Sequence, residues 1–257
     1  MASTVLRIGL VFLLFFAVFE TGFFLGQFFS KPETVEKPVL VFDSSLQKLP
    51  EQRLSATINI VAVTNDGKGM ESQGNVEIAP DGKGRVLFDT NPFVEPDTQQ
   101  SLETAAYVAS VFTKKSLVDK DIIYSVSNAQ AQLIGGPSAG AAFAVATIAA
   151  IEGKQIRQDA AITGTINKDG SIGPIGGIVE KMNALIEQKG KLFLIPQGQR
   201  YVTTYTEQVQ TQRRGNFVYE IHTLIPKQVD LVELAKPQGL EVKEVADINE
   251  AVQALVI

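Results

Sequence analysis

Cysteine is missing entirely from the 257 residues. Disulfides, thiolate nucleophiles and cysteine-based metal sites are therefore excluded, and the redox compartment is left open. Histidine is nearly missing too: His222 stands alone, so no multi-histidine metal site can be built. Excess charge of one sign is also lacking. Lys and Arg number 23 against 28 Asp and Glu, for a net charge of -5 with 20% charged residues. Nothing in that balance suggests a nucleic-acid surface. Finally, Lys68, Lys154 and Lys191 each follow a glycine, but none completes the G-x-x-x-x-G-K-[ST] phosphate loop, so no nucleotide is expected. A chain of this length has room for one membrane segment and one well-filled soluble domain, or at most two small ones, and not for a separate motor domain.

What the sequence does have, at its start, is an almost unbroken apolar run from Val5 to Phe29. As a helix, Ile8 to Phe29 would extend roughly 33 Å, enough to cross the hydrocarbon core of a bilayer. We expect a retained transmembrane anchor at 5–29, in contact with membrane lipid. A cleaved signal peptide is the rival, but no small-x-small cleavage site follows the apolar region. Glu20 interrupts the run and is tolerated there if protonated or partnered. Pro32, Pro38 and Pro50 then mark a stalk over 30–53, and a globular domain is expected over 54–257. The short N-terminus and signal-like layout predict a domain on the side of the membrane opposite the N-terminus, outside the cytoplasm.

Within that domain Ala56 to Val63 reads as a strand. Val76 to Ala79 and Arg85 to Phe88 bracket Pro80-Asp81-Gly82, a hairpin signal. Asp97 and Gln100 form a capping pair ahead of a helix with apolar positions Leu102, Ala105, Ala106, Ala109 and Phe112. Strands are expected at Asp121 to Val126, Ala160 to Ile166, Lys191 to Ile195 and Leu240 to Val245. Helices are expected at Ala139 to Ile151, Gly177 to Gln188 and, capped by Asp247 with Glu250, through Leu255. The alternation argues for layered α and β elements. Tyr201 to Arg214 is polar and poorly periodic, and it receives no assignment.

The most unusual stretch is Gly135-Gly136-Pro137-Ser138-Ala139-Gly140, which leads straight into a long apolar helix. A hydroxyl at a helix N-terminus lies beside unpaired N–H groups and the positive end of the dipole, where an oxyanion would be stabilised. The plain alternative is that Ser138 only caps the helix. A serine nucleophile needs a base. His222 sits in an alternating, strand-like stretch, Phe217 to Leu224, and reads as structural. Lysine serves instead when burial lowers its pKa. Lys181 is placed for this, on or beside the apolar stripe that carries Ile178, Met182 and Leu185. Most such lysines merely run their stems along the stripe toward water.

Three segments taken together resemble the Lon protease proteolytic domain: Gly135 to Gly140, Thr163-Gly164 ending a strand, and Pro-Ile-Gly-Gly-Ile-Val-Glu-Lys at Pro174 to Lys181. They come in that family's order and spacing, and the resemblance runs from about Leu102 to Ile195 and again at the C-terminal strand and helix. It implies an α+β Lon-type proteolytic domain and a Ser-Lys dyad. Ser138 would be the nucleophile and Lys181 the general base and then general acid, with Thr163 hydrogen-bonded to the lysine and backbone N–H groups around Gly136 to Ala139 holding the oxyanion. It also implies a polypeptide substrate, a homo-oligomer, and no metal or nucleotide cofactor for the chemistry. This chain departs from the family in three ways. Gly135 stands where an acidic residue often precedes Gly-Pro-Ser, Tyr201 to Leu234 has no secure counterpart, and the family's ATPase signature is missing. Two other readings stay open: a membrane-tethered scaffold that kept the fold and lost turnover, and an amide hydrolase of non-peptide substrates.

Overall fold

The computed structural model describes residues 46–90, 93–127, 133–134, 136–214 and 217–257. The expected anchor at 5–29, most of the expected stalk and Gly135 lie outside the described residues. Among the described residues no helix is long and apolar enough to cross a membrane.

In chain order the elements are β1 (Gln47–Lys48), β2 (Leu54–Val63), β3 (Gly69–Ala79), β4 (Val86–Asp89), β5 (Phe93–Val94), α1 (Pro96–Thr113), β6 (Lys115–Ser116), β7 (Asp121–Ser127) and β8 (Leu133–Ile134). A single 3-10 turn, Pro137–Ala139, precedes α2 (Gly140–Glu152). There follow β9 (Ala160–Ile162), β10 (Thr165–Ile166), β11 (Ile172–Gly173), α3 (Ile178–Glu187), β12 (Leu192–Pro196), β13 (Tyr201–Arg214), β14 (Phe217–Asp230), α4 (Leu231–Ala235), β15 (Glu241–Val245) and α5 (Ile248–Leu255). Helices and strands thus mix along the chain.

Seven strands form the central sheet in the order β15-β12-β9-β2-β3-β7-β4. β2, β3 and β7 are antiparallel neighbours, while β2-β9, β9-β12, β12-β15 and β7-β4 pair in parallel. Both faces are covered. Ile58, Ile60, Ile162 and Leu194 pack with α1, α2 and α5 on one side. Val61, Ala161, Phe193 and Ile195 pack with α3 and α4 on the other. A strand covered on both faces needs apolar residues at every position, which is why Ala160–Ile162 and Leu192–Ile195 are continuous apolar runs rather than alternating ones.

Two local expectations are corrected. Val76 to Ala79 and Arg85 to Phe88 do not form a hairpin, because β7 lies between β3 and β4 and pairs with both. Asp121 at the start of β7 decides this, since its carboxylate accepts hydrogen bonds from the Lys83 and Arg85 backbone N–H groups and from the Arg85 guanidinium. Those bonds hold its pKa well below the usual carboxylate range. The second correction concerns Asp97, which does not cap α1. Glu95 occupies the cap position without a side-chain bond, and Pro96 opens the helix with its preset φ. Asp97 lies inside the first turn, where its charge still favours the positive helix end. By contrast, the Asp247 carboxylate caps α5 by accepting from the Asn249 and Glu250 N–H groups. At the other end of the domain, Gln47–Lys48 pairs with Lys115–Ser116 and Leu49 is buried in the core, so these residues of the expected stalk are tied to the folded part.

Candidate active site

The serine-bearing turn is shaped by its glycines. Gly136 has φ +85° and ψ 145°, a conformation that costs any residue with a Cβ. Pro137 then opens the 3-10 turn, and Gly140 lets α2 lie against α1: a Cβ there would fall 2.4 Å from Ser101 Oγ. Two hydroxyls of α1 hold the turn. Thr98 Oγ1 donates to the Gly136 carbonyl at 3.3 Å, and Ser101 Oγ donates to the Pro137 carbonyl at 3.1 Å. Sequence reasoning missed both. Their signal was polar residues at 98 and 101, at helical spacing on the face of α1 that should be apolar.

Ser138 is half-buried in this turn. It caps nothing: Gly136 and Ala139 occupy the cap positions of the 3-10 turn and α2, with no side-chain cap bond at either. Its carbonyl accepts two hydrogen bonds, from the Gly164 N–H at 2.9 Å and from Thr163 Oγ1 at 3.3 Å. In return, the Ala141 N–H donates to the Gly164 carbonyl at 3.1 Å. Thr163 keeps its backbone N–H on the Leu194 carbonyl of the central sheet at 3.1 Å, and it is Gly164 that leaves the sheet to clasp the start of α2. The expected strand from Ala160 to Ile166 is accordingly broken, and Thr165–Ile166 pairs instead with Ile172–Gly173.

Lys181 comes from the opposite face of the sheet, on the first turn of α3. Gly177 caps that helix in the left-handed region at φ +65°. Close backbone contact seats it, since a Cβ on Gly69 of β3 would sit 1.8 Å from the Glu180 carbonyl oxygen. Only 4% of Lys181 is exposed. Its Nζ donates to Thr163 Oγ1 at 3.3 Å, and burial lowers its pKa from the usual 10.5 to about 8. Thr163, 1% exposed, thus accepts from the amine and donates to the Ser138 carbonyl. Among the described residues the Ser138 hydroxyl itself has no hydrogen-bond partner, so lysine and serine are linked through Thr163 rather than by a direct bond. Catalytic hydrogen bonds commonly tighten only when substrate is bound. His222 is elsewhere, exposed on β14 with Nδ1 2.6 Å from Glu207 Oε1.

Fold and site define a mixed α/β domain in which a serine-bearing turn at a helix start and a buried lysine of lowered pKa share one threonine, without histidine. Residues 105–230 match the family described as the Lon protease (S16) C-terminal proteolytic domain. That match extends over β13 and β14, for which the motifs gave no counterpart. The chain is 29% identical over 172 residues to the Lon protease of Azospirillum brasilense, covering 62% of this chain and 21% of that protein. It is 26% identical over 143 residues to the archaeal Lon protease of Archaeoglobus fulgidus, covering 54% and 22%. Against the Lon protease of Trichlorobacter lovleyi it is 40% identical over 105 residues, covering 40% and 13%. The chain spans between 13% and 22% of the length of these relatives.

Proposed function

We propose that this protein is a serine endopeptidase that hydrolyses unfolded or flexible polypeptides through Ser138 and Lys181, without ATP. One observation carries the reading: a lysine amine almost shut off from water, hydrogen-bonded to a threonine hydroxyl that itself holds the Ser138 carbonyl. A lysine with no chemical role has little reason to accept that desolvation when its stem could reach solvent. This also disfavours a scaffold that has lost turnover.

In the proposed reaction the neutral Lys181 amine takes the Ser138 proton as Oγ bonds to the peptide carbonyl carbon. Backbone N–H groups between Gly136 and Ala139 stabilise the oxyanion. The lysine ammonium then protonates the leaving amine as the C–N bond breaks, leaving Ser138 acylated. Water, deprotonated by the same amine, attacks the acyl carbon, and as the Oγ–C bond breaks the ammonium returns that proton to Ser138 Oγ, releasing the acid. Lacking a phosphate loop, the chain acts on segments that are already extended. Val5 to Phe29 would anchor it in a membrane with the domain outside the cytoplasm, as a homo-oligomer. The decisive assay is hydrolysis of casein without nucleotide by the wild-type chain and Ser138→Ala. Turnover by the first and none by the second is expected; equal turnover would move the nucleophile elsewhere. Protease added to right-side-out vesicles should digest residues beyond Ser30, whereas full protection would put the domain on the cytoplasmic side.

A further inference from the structure

β13 and β14, 14 residues each, pair with one another and, among the described residues, with no other strand. The ribbon extends roughly 45 Å. Its base is clamped by the Arg200 guanidinium, bonded twice to Asp230, and by the Leu231 N–H on the Arg200 carbonyl. Beyond that base nearly every residue is exposed. A bare two-stranded ribbon is marginal in water, and here each outer edge carries a row of unpaired N–H and C=O groups. The two edges differ in chemistry. β13 between Thr206 and Gln212 is mostly Thr and Gln, whereas β14 exposes Phe217 (78%), Val218 (63%) and Leu224 (64%) as well as Ile221 and Ile225.

The order of residues along β14 says what fits that edge. From Phe217 to Ile225 the pattern is self-complementary about Ile221. An antiparallel copy centred there sets Phe217 against Ile225, Val218 against Leu224, Glu220 against His222, and Ile221 against itself. The outer apolar residues meet apolar ones, Tyr219 meets Thr223, and each Glu220 meets the imidazole of His222, whose Nδ1 also lies 2.6 Å from Glu207 Oε1 of its own chain. Pro226, directly after this stretch, has no N–H to extend a ladder. We propose that β14 is a self-association edge on which two copies of this chain align antiparallel about a two-fold axis through Ile221. The product is a four-stranded sheet, β13-β14-β14-β13, with the same patch used by both copies, the self-complementary interface of a closed dimer.

The lack of native cysteine makes the register directly testable in the full chain. Opposed residues of an antiparallel pair have Cα atoms about 4.5–5.5 Å apart, within the range a disulfide spans. Mild oxidation of Ile221→Cys should therefore give a covalent dimer. Phe217→Cys alone should not, because its copy in the partner lies eight residues away, roughly 27 Å. A mixture of Phe217→Cys and Ile225→Cys chains should cross-link. Ile221→Lys, which opposes two ammonium groups, should halve the sedimenting mass while casein hydrolysis and far-UV circular dichroism stay unchanged. Cross-linking that is equal at all three positions, or missing at Ile221→Cys, overturns the proposal. So does a monomer whose ribbon binds lipid vesicles instead.

Discussion

The sharpest test of the buried amine couples activity to stability. At pH 7 a lysine of pKa about 8 is deprotonated in roughly one molecule in ten, against about three in ten thousand for pKa 10.5. Peptide hydrolysis measured as kcat/KM should rise with a midpoint near pH 8 and level off about one unit above. Folding should pay for this amine. Because the folded pKa is depressed, the protonated form is disfavoured in the native state. The penalty is fully present below pH 8 and fades as pH climbs from 8 to the unfolded value of 10.5. At 1.36 kcal/mol per unit, the shift corresponds to about 3 kcal/mol for this 4% exposed side chain. Lys181→Met removes the penalty together with one hydrogen bond to Thr163, worth about 1 kcal/mol. The variant should be inactive yet about 2 kcal/mol more stable than wild type in urea at pH 7, with the advantage gone by pH 10.5. Lys181→Arg should be inactive too, since a guanidinium stays charged. A rate flat between pH 7 and 9, or a Lys181→Met chain less stable at pH 7, would refute the reasoning.

Ser138→Ala should lose peptide hydrolysis with a change in unfolding free energy below about 1 kcal/mol, because the hydroxyl caps no helix; a large drop in melting temperature would restore the capping role. Thr163→Val keeps the shape but leaves the amine without its acceptor, so kcat should fall about 10²-fold with little change in KM, and Thr163→Ser should recover most of it. Gly69→Ala places a methyl against the Glu180 carbonyl and must lift α3 from the sheet. It should cost about 1–3 kcal/mol in a denaturant titration and lower turnover through the displaced Lys181.

Most elements of the sheet and its helices were legible because their signals are local. The apolar runs at Ala160 and Leu192, the period of α1 and the Asp247 cap all appear where their residues require. The β3-β4 pairing was misread because the Pro80-Asp81-Gly82 turn signal says nothing of β7, a strand that begins only at Asp121. The Asp121 carboxylate, bound to Lys83 and Arg85, and the Gly82 and Gly84 N–H groups, bonded to the Asp119 and Lys120 carbonyls, bring β7 between them. The β13-β14 ribbon was half legible for a related reason. A strand with a buried face announces itself by alternation, but β13 buries neither face, so its Thr and Gln residues carry no period to read.

The break in the expected strand from Ala160 to Ile166 belongs to the site itself. Residues up to Ile162 obey the rule for a doubly covered strand, and the Thr163 N–H still bonds within the sheet, to the Leu194 carbonyl at 3.1 Å. The break comes after it: the hydroxyl of Thr163 and the N–H of Gly164 both turn to the Ser138 carbonyl, and the Gly164 carbonyl takes the Ala141 N–H. Gly164 permits this approach, since a Cβ there would fall 2.5 Å from Ile172 Cγ2. An uninterrupted strand through Gly164 would leave the start of α2 without its clasp. Here local propensity yields to the needs of a site, which is where such disagreements are expected to gather. Strand propensity alone could not reveal the break; the Thr-Gly pair, read with the serine turn and the lysine helix, is what marks it.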